Sequence, residues 1–508
     1  LSLLSLIKFQ EKFNLKYPMK NKFNSACNYF FSNFWLKKIF PTIVLFQIIA
    51  CSNEGLFFED AYVIENVGII DPIDGLELNM SVVIKENKIL DIFKTREIVL
   101  SPKNKVHKGT NKFIIPGLWD SHIHFAFEKD LATSMPNLFL YHGITSLRDT
   151  GGEFDFVNKF KQEAISNPKT KSRVKIAGPL IDGKFNVYDG SNIYFPKLSI
   201  QNIDNNQLER NVRLLIDKKV DFLKAYEMLS PAQFKILSNL AKENNLKLTG
   251  HVPLSMSVIE ASNLGLNSME HLRNLELSMT EMSEKLFQER KNLLLNKSSI
   301  KGSELRSLIH SKQRMKSIND LDSIKINNVI DALIKNDVWQ IPTLILYKNF
   351  ANKTFKNPDY LQFLNLLPEE RKEEWIKKIN AIDNVISKDV VEYTVWSKKM
   401  VDFMHDRGIS FMAGTDTPIG FLIPGLSLHQ EIQELYESGL SELEAIQTAT
   451  INPAKYFNLE NSLGRIKSGF IADLIILDKN PLESISNTKS IHAVIKEGHL
   501  MNRSYLDS

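Results

Sequence analysis

Two parts of the chain, one towards each end, contain short runs rich in β-branched and other apolar residues, which are typical of β-strands. These runs are residues 62–64, 81–85, 472–477 and 493–496. A turn-rich segment at residues 71–75, with the order Asp-Pro-Ile-Asp-Gly, separates the first two runs. We therefore predict that residues 58–112 and 461–508 pair into one small β-sandwich beside the domain between them.

Between these flanks, short apolar runs alternate with stretches of helical periodicity, and this alternation is typical of βα units around a parallel sheet. Eight candidate strands lie at residues 113–118, 145–149, 174–178, 222–225, 246–251, 268–271, 339–344 and 409–416. Eight is the number of strands that a (β/α)8 barrel requires. The predicted fold class is α/β, with a TIM-type (β/α)8 barrel over residues 113–460.

Helix signals agree with this spacing. Ser230 precedes a first-turn proline as an N-cap, and Ser441 with Glu444 forms a capping box. The connections at residues 274–337 and 347–405 are too long for bare loops and are rich in Lys, Glu and Leu, so we predict helical insertions there. Long connections of this type lie at the catalytic mouth of a barrel, either as a lid or as solvated decoration without substrate contact.

The amino-terminal segment has the order of an export signal, with a lysine pair at residues 37–38, an apolar run at residues 39–50, and then Cys51. A run of about a dozen residues is too short to span a bilayer but suits a signal peptide. The end of the run resembles the bacterial lipobox, whose cysteine is lipidated and becomes the first mature residue. We predict a signal peptide over residues 1–51, translated from Met19, and an envelope lipoprotein anchored to the membrane through Cys51. The alternative is an ordinary buried element with a buried thiol.

Composition and charge narrow the classes of function. The chain has 508 residues, 43% hydrophobic and 24% charged, so it can bury a large core and is not biased like a disordered or fibrous protein. Its formal charge of +4 arises in the leader, residues 1–51, which holds seven lysines and one acidic residue. The remainder is close to neutral, which argues against a nucleic-acid partner. Both cysteines, Cys27 and Cys51, lie in this leader, so no disulfide is expected in the mature chain.

Metal-ligand residue types follow the predicted strands at the ends that face the mouth of a barrel. His122 and His124 come after the first strand, and residues two apart on an extended chain point to the same face. Later strands end in Lys224, His251, His271 and Asp416. A lone histidine at such a position is more often structural, but a barrel directs all these ends into one pocket, so the ordered set predicts a metal site.

Several segments resemble motifs of the amidohydrolase superfamily. They are residues 115–124 (IPGLWDSHIH), 143–152 (GITSLRDTGG), 269–271 (MEH), 413–418 (AGTDTP) and 463–473 (LGRIKSGFIAD). The resemblance covers about residues 58–500 and is strongest to the imidazolonepropionase-like branch that includes Xaa-Pro dipeptidases. These motifs are specific for the superfamily and weakly specific for the substrate.

The resemblance implies a binuclear metal site in the barrel. His122, His124 and Asp416 would hold the buried ion, and His251 and His271 the exposed ion. Imidazole and carboxylate ligands suit Zn²⁺, with Mn²⁺, Co²⁺ and Fe²⁺ as alternatives.

Lys224 has a special place in this implied site, where it would bridge both ions as a carbamate. A protonated lysine cannot ligate a metal, whereas an amine deprotonated by burial reacts with CO₂ to give a bidentate carboxylate. If Lys224 is instead a substrate-binding or surface ammonium, the site is mononuclear, as in the deaminase-like branch.

The implied chemistry is metal-assisted hydrolysis. Two divalent ions about 3.5 to 4 Å apart lower the pKa of a shared water and supply hydroxide, while one ion polarises the substrate carbonyl. Asp416 would accept the water's proton and pass it to the departing amine. The chain contains no G-x-S-x-G motif, so no serine nucleophile is indicated. We predict hydrolysis of C–N bonds in small substrates such as dipeptides or N-acyl amino acids.

For other polar residues the sequence gives weaker evidence of a role in the site. Arg273 has the charge to bind a substrate carboxylate, and Tyr226 lies near Lys224 in the sequence; a structural role is the alternative for each. His142 is expected to end a helix and His429 to pack inside one. Two further readings of the function stay open: a mononuclear deaminase or cyclic-amide hydrolase, and a lipid-anchored binding protein that has lost catalysis. A protein that has lost catalysis is expected to lack some metal ligands, whereas all six candidate metal ligands are present.

Overall fold

The structure is a computed structural model that describes residues 56–295 and 300–501. The predicted signal peptide, including Cys51, lies outside these residues, so export and lipidation stay predictions. In the part of the chain that is described, no helix is both long enough and apolar enough to cross a membrane.

Strands from both flanks of the chain form one sheet. The amino-terminal strands are β1 (Leu56–Phe58), β2 (Tyr62–Asp71), β3 (Gly75–Lys85), β4 (Lys88–Lys94), β5 (Ile98–Leu100), β6 (Lys105–Lys108) and β7 (Phe113–Pro116). The carboxyl-terminal strands are β19 (Leu474–Leu477), β20 (Ile491–Lys496) and β21 (His499–Met501). The main sheet has the order β21-β20-β19-β7-β2-β3-β4, with β6 paired to β2, while β1 and β5 form a separate pair. The two flanks therefore meet as predicted.

Strand β19 is apolar throughout because it is buried on both faces. Successive side chains of a strand point to opposite sides. Leu474 and Ile476 enter the core of the flanking sheet, whereas Ile475 and Leu477 pack into the core of the barrel. β19 is therefore one of the strands that attach the flanking sheet to the barrel, together with β2, β7 and β20.

The central domain is a (β/α)8 barrel, as predicted. Its strands and their excursions are β8 (Leu118–Ile123), β9 (Ile144–Asp149), β10 (Arg173–Ile176), β11 (Leu180–Asp182), β12 (Asp189–Asn192), β13 (Phe195–Lys197), β14 (Ser199–Gln201), β15 (Phe222–Ala225), β16 (Lys247–Gly250), β17 (Ser268–Glu270) and β18 (Trp339–Ile341). Strands β8, β9 and β10 are parallel neighbours, and β11, β15, β16, β17 and β18 continue the parallel order. The carboxyl ends of these strands face one mouth.

The eighth predicted strand, residues 409–416, is not a regular strand. It is an extended segment that touches β18 by an isolated bridge at Phe411 and β8 by another at Thr417. Asp416 has a φ of +66°, which a continuous ladder does not accommodate. The segment therefore closes the barrel without forming a strand.

The first predicted strand, residues 113–118, is divided between two sheets. β7 pairs with β19 in the flanking sheet, and the barrel strand β8 begins only at Leu118. The chain changes sheets at Pro116 and Gly117, where proline has no N–H to donate and a Cβ on the glycine would overlap Thr145. The predicted barrel boundary at residue 113 thus falls inside the flanking sheet.

Strands β11 to β14 were not predicted from the sequence. β12 and β13 form a short antiparallel hairpin outside the barrel wall. Their residues, such as the exposed Asp-Gly-Ser-Asn of β12, lack the apolar alternation that marks a strand. This hairpin reaches the mouth of the barrel.

Helices connect the strands and fill both long connections. They are α1 (Met135–Tyr141), α2 (Phe154–Ser166), α3 (Asn205–Asp217), α4 (Pro231–Glu243), α5 (Val258–Leu264), α6 (Leu275–Ser278), α7 (Ser283–Leu295), α8 (Gly302–Ile318), α9 (Ser323–Lys335), α10 (Leu344–Asn352), α11 (Pro358–Leu361), α12 (Glu369–Ala381), α13 (Lys388–Asp406), α14 (Leu426–Tyr436), α15 (Glu442–Thr448) and α16 (Ile451–Tyr456). Ser230 and Ser441 cap α4 and α15 with capping boxes. Helices α6 to α9 and α10 to α13 confirm the two predicted helical insertions.

Candidate active site

One cavity at the mouth of the barrel contains every side chain that the sequence singled out as a metal ligand. The cavity has a volume of about 560 Å³. Its lining includes His122, His124, Lys224, His251, His271 and Asp416. Arg273 and Tyr226, the two candidates for substrate binding, line it as well. The structure therefore brings all eight predicted residues together.

Asp416 lies at the centre of three imidazoles. Its Oδ1 atom is 3.1 Å from His122 Nε2 and 3.1 Å from His124 Nε2. Its Oδ2 atom is 3.9 Å from His271 Nε2. The His251 ring lies next, with its centroid 4.9 Å from that of His271. The lone pairs of these groups therefore converge on one small region.

The backbone near these side chains has unusual conformations. Asp416 and His271 have φ values of +66° and +59°, in the left-handed region that costs a non-glycine residue about 1–3 kcal/mol. The Asp416 amide donates to the His122 carbonyl at 2.7 Å, and this bond supports its conformation. Gly414 allows the close approach, because a Cβ there would lie 2.7 Å from His122 Cβ. The strained backbone conformation directs the Asp416 carboxylate towards the histidines.

The donor atoms fit a divalent metal. Among the described residues, three of these buried atoms have no hydrogen-bond partner: His122 Nδ1, His122 Nε2 and Asp416 Oδ1. Unpaired buried polar atoms are costly, and a cation satisfies them. Two sets have ligand spacing, namely His122 with His124 and Asp416, and His122 with Glu270 and His271. Imidazole with carboxylate is the ligand chemistry of zinc and related ions.

The protonation states also suit ligation. Burial lowers the pKa of His122 and His271 well below the ordinary value, and it lowers that of His251 to about 3. These imidazoles are therefore neutral at pH 7 and have a free lone pair. Burial alone would raise the pKa of Asp416, but the neighbouring His122 and His271 hold it well below its usual range. Asp416 is thus an ionised carboxylate.

Lys224 contacts a carboxylate that the sequence analysis missed. Its Nζ atom contacts Glu270 Oε2, while Glu270 Oε1 accepts from Arg148 at 2.8 Å and from Thr249 at 3.0 Å. Burial, followed by the charge of Arg148, lowers the pKa of Lys224 well below the ordinary value. Glu270 was visible in the sequence as the acidic residue that ends β17, immediately before His271. Its partners lie on three other strands, so only the fold assigns it a place.

Glu227 is a second residue that the sequence analysis missed. It is fully buried and accepts from His251 Nδ1 at 2.7 Å and from His310 Nε2 at 3.2 Å. Arg273 Nε and Arg306 Nε lie 3.6 and 3.7 Å from its oxygens. Burial would raise the pKa of Glu227, but Arg306 and the two histidines hold it well below its usual range. The carboxylate thus fixes His251 with Nδ1 protonated and Nε2 free.

Replacing this carboxylate should weaken metal binding without unfolding the barrel. Glu227→Gln keeps the shape but loses the charge that orients His251, so we expect metal affinity to fall about 10- to 100-fold. A titration of metal-free protein with Zn²⁺, read by a competing chelator, measures the change. Glu434→Gln is the matched control, because Glu434 is equally buried and paired with Lys398 at 3.2 Å but does not line the cavity. Equal affinities in the two variants would contradict an orienting role for Glu227.

The cavity also has a cationic region. Arg273 and Arg306 share Glu227 as their carboxylate partner, so one positive charge remains uncompensated in that group. Arg306 also donates to the Tyr226 hydroxyl at 3.4 Å. Arg273 Nε is buried and has no hydrogen-bond partner among the described residues. This region is suited to a carboxylate of a ligand.

Both helical insertions form walls of the cavity. Arg306 belongs to α8 of the first insertion, while Tyr347 and Phe350 of α10 and Lys378 of α12 belong to the second. The alternative that these helices are surface elements without contact to the site is therefore wrong. His310 on α8, which was not predicted to contribute, ties the first insertion to Glu227.

The two histidines that were predicted to lie outside the site have the expected structural roles. His142 ends α1 at its carboxyl terminus. His429 is buried in α14, and its Nε2 donates to the His142 carbonyl at 2.9 Å. Neither residue lines the cavity.

The sequence profile of the Amidohydrolase family matches residues 113–501 of the chain. An adenine deaminase of Desulforamulus reducens is 45% identical over 47 residues. This match spans 9% of the chain and 8% of the deaminase, so it concerns only a short segment of each protein.

Solved structures share the fold at low sequence identity. An Xaa-Pro dipeptidase with methionine bound in its active site superposes with a TM-score of 0.62 and 19% identity, covering 87% of this chain and all of that one. A bottromycin amidohydrolase superposes with a TM-score of 0.62 and 17% identity, covering 93% of this chain and 92% of that one. Similarity at this level concerns the fold.

Proposed function

The chain belongs to the amidohydrolase family and is a hydrolase of carbon–nitrogen bonds, and we propose that it cleaves the amide bond of small substrates that carry a carboxylate, namely dipeptides or N-acyl amino acids. The observation that carries this proposal is the joining, in one cavity, of the metal-ligand set around Asp416 with the uncompensated charge of Arg273 and Arg306. A dipeptidase of the same fold binds methionine in its active site, which agrees with an amino acid as one half of the substrate.

The ligands are proposed to divide between two ions. His122, His124 and Asp416 would hold one, and His251 and His271 the other, with Lys224 joining them as a carbamate. When bound, divalent ions supply a water of lowered pKa and polarise a substrate carbonyl. Zn²⁺ suits these donors best, and Mn²⁺, Co²⁺ and Fe²⁺ are alternatives.

The side chains of the chain perform the remaining steps. Asp416 is ionised and has its Oδ2 turned away from His122 and His124, so this oxygen accepts the proton of the attacking water and returns it to the departing nitrogen. Arg273 pairs with the substrate carboxylate and contributes to substrate binding. The insertion helices around the cavity limit the access of bulk water.

Removing the guanidinium should weaken substrate binding selectively. We expect Arg273→Met to raise KM for an acyl amino acid about 10- to 100-fold, because a hydrogen bond to a charged group contributes about 1.5–3 kcal/mol. The turnover number should change little, because the carboxylate is bound equally before and during reaction. Steady-state kinetics with the acyl amino acid and with its carboxamide measure this.

The carboxamide is the internal control. Wild type should bind the carboxamide more weakly than the acid, and Arg273→Met should treat the two alike. A variant that loses equal activity on both substrates would place Arg273 in a structural role, and metal analysis of the same sample would show whether the site is intact.

A mononuclear deaminase is the competing assignment. The short match to an adenine deaminase is consistent with it but spans 9% of the chain. That assignment predicts one metal per chain and no dependence of metal content on Lys224. Membrane attachment through Cys51 is a separate proposal, which rests on the sequence of residues 37–51 alone.

A further inference from the structure

We propose that Glu128 binds a free ammonium group on the acyl half of the substrate, so that amides with an amine there, dipeptides among them, are cleaved in preference to N-acyl amino acids without one. This proposal rests on the proposed function and chooses between its two classes of amide. Three features of the cavity carry it. They are the hydrogen bonding of Glu128, the balance of charges around it, and its place around the mouth relative to Asp416 and Arg273.

Glu128 is the carboxylate of the lining that is available to a ligand. Among the described residues that line the cavity, the carboxylates are those of Glu128 and Asp416, and two histidines engage Asp416. Glu128 Oε2 accepts from Trp375 Nε1 at 2.9 Å, whereas Oε1 has no hydrogen bond within the described part of the chain. The Glu128 side chain is 16% exposed. Its second oxygen is therefore able to accept from a cationic donor in the cavity.

The charged groups around Glu128 leave one negative charge uncompensated. Arg371 pairs with Asp130 at 3.0 Å and also with Glu374, and its Nη1 atom lies 3.8 Å from Glu128 Oε2, beyond hydrogen-bond distance. Lys378 pairs with Glu374 at 2.6 Å. The group thus has two cations and three carboxylates. Burial raises the pKa of Glu128 in spite of the two cations, and a ligand ammonium group would supply the missing positive charge.

The order of elements around the mouth places Asp416 between Arg273 and Glu128. Arg273 follows β17, which pairs with β18. Glu128 follows β8 and lies just after the turn in which the His124 carbonyl accepts from the Phe127 amide at 3.4 Å. The closing segment that carries Asp416 touches β18 on one side and β8 on the other. The three groups therefore follow one another in the order that carboxylate, amide and ammonium group have in a dipeptide.

An acyl group without an amine is disfavoured beside this carboxylate. Phe127 and Phe421 also line the cavity, and their rings offer no hydrogen bond to Glu128. An uncharged acyl chain that covers Glu128 would remove its charge from water without supplying a partner, which is costly. An ammonium group instead forms a charge-assisted hydrogen bond, which is about twice as strong as a neutral one. Both effects favour the substrate with the amine.

The test uses two pairs of substrates, and the members of each pair differ only in the ammonium group. They are L-alanyl-DL-alanine with propanoyl-DL-alanine, and 4-aminobutanoyl-DL-alanine with butanoyl-DL-alanine, each offered to the metal-loaded enzyme. The second pair places the amine further from the amide, so the pairs sample two positions of the ammonium group. We expect kcat/KM of the substrate with the amine to exceed that of its uncharged partner at least about tenfold in one pair or both.

Glu128→Gln tests whether this carboxylate supplies the preference. The variant loses the charge but keeps the shape and an oxygen for Trp375 Nε1. We expect kcat/KM for the substrate with the amine to fall about tenfold or more, and that for the uncharged partner not to fall. Retained hydrolysis of the uncharged partner shows that the variant is folded. Comparing the ratio within a pair between variant and wild type cancels the effect of the ammonium group on the intrinsic reactivity of the amide.

Glu65→Gln is the matched control. The Glu65 side chain is 19% exposed, close to the value for Glu128, and it lies on β2 of the flanking sheet and does not line the cavity. This variant should leave the ratio within each pair unchanged.

The outcomes separate this proposal from the proposed function. Equal rates within both pairs, or faster hydrolysis of the uncharged members, would overturn the role of Glu128 while supporting amide hydrolysis. A preference for the amine that persists in Glu128→Gln would mean that another group binds the ammonium, and equal losses on both members of a pair would give Glu128 a structural role. Either result would overturn the proposal. If none of the four amides is hydrolysed, the proposed function is wrong and the proposal for Glu128 is wrong with it.

Discussion

Asp416→Asn is expected to keep the fold and much of the bound metal while lowering kcat roughly 10²- to 10⁴-fold, the range typical of general acid–base groups. Asparagine keeps the side-chain shape and one oxygen near His122 and His124. It has almost no basicity, so it cannot accept the proton of the attacking water. The loss should fall on kcat more than on KM, because proton transfer is required in the transition state and not in substrate binding.

Steady-state kinetics and metal analysis on the same samples decide the outcome. Asp416→Ala should be worse, because it also removes a ligand. Asp221→Asn is the matched control, because Asp221 is paired with Lys161 at 2.7 Å and lies outside the cavity. Near-normal kcat in Asp416→Asn with its metal retained would mean that another group carries the proton, and the proposed mechanism would be wrong.

Lys224→Ala is expected to lower the metal content from about two divalent ions per chain to about one, and to reduce kcat/KM at least about 100-fold. The Lys224 side chain is buried beside Glu270 and Arg148, so we expect that solvent cannot replace the proposed bridging carbamate in this variant. Elemental analysis of purified protein gives the metal content. Mass spectrometry under native conditions tests directly for the proposed carbamate.

Lys496→Ala is the matched control for this variant. Lys496 is also buried, and it pairs with Asp473 at 3.1 Å in the flanking sheet and does not line the cavity. Its loss should lower stability and leave the metal content unchanged. One metal per chain in the wild type, with no change in Lys224→Ala, would place the protein with the mononuclear deaminases.

Much of the barrel was predictable because its elements are encoded by local patterns. β15 coincides with the predicted run at residues 222–225, and capping boxes mark the starts of α4 and α15. Each of these signals depends on residues within a few positions of one another. The predicted order of strands then placed the candidate ligands at one mouth.

The fold predictions were wrong where tertiary contacts, and not the local sequence pattern, determine the backbone conformation. Residues 113–118 read as one apolar run, but the run divides because each half pairs with a different sheet. Residues 409–416 read as a strand, but the conformation of Asp416 interrupts the ladder. Strand β12 has the polar sequence Asp-Gly-Ser-Asn, which no strand pattern marks, and only the tertiary structure places its hairpin at the cavity.

The fold class and the candidate ligands from His122 to Asp416 were predictable from the sequence, because residue type and position at a strand end are both local properties. The groups that act on those ligands were not predictable in this way. Glu227, Glu270 and Arg306 are ordinary charged residues in the sequence, and Arg306 lies about 80 residues from its partner Tyr226. Their roles depend on burial and on distances of a few ångströms between side chains from separate elements, and no local pattern specifies such distances.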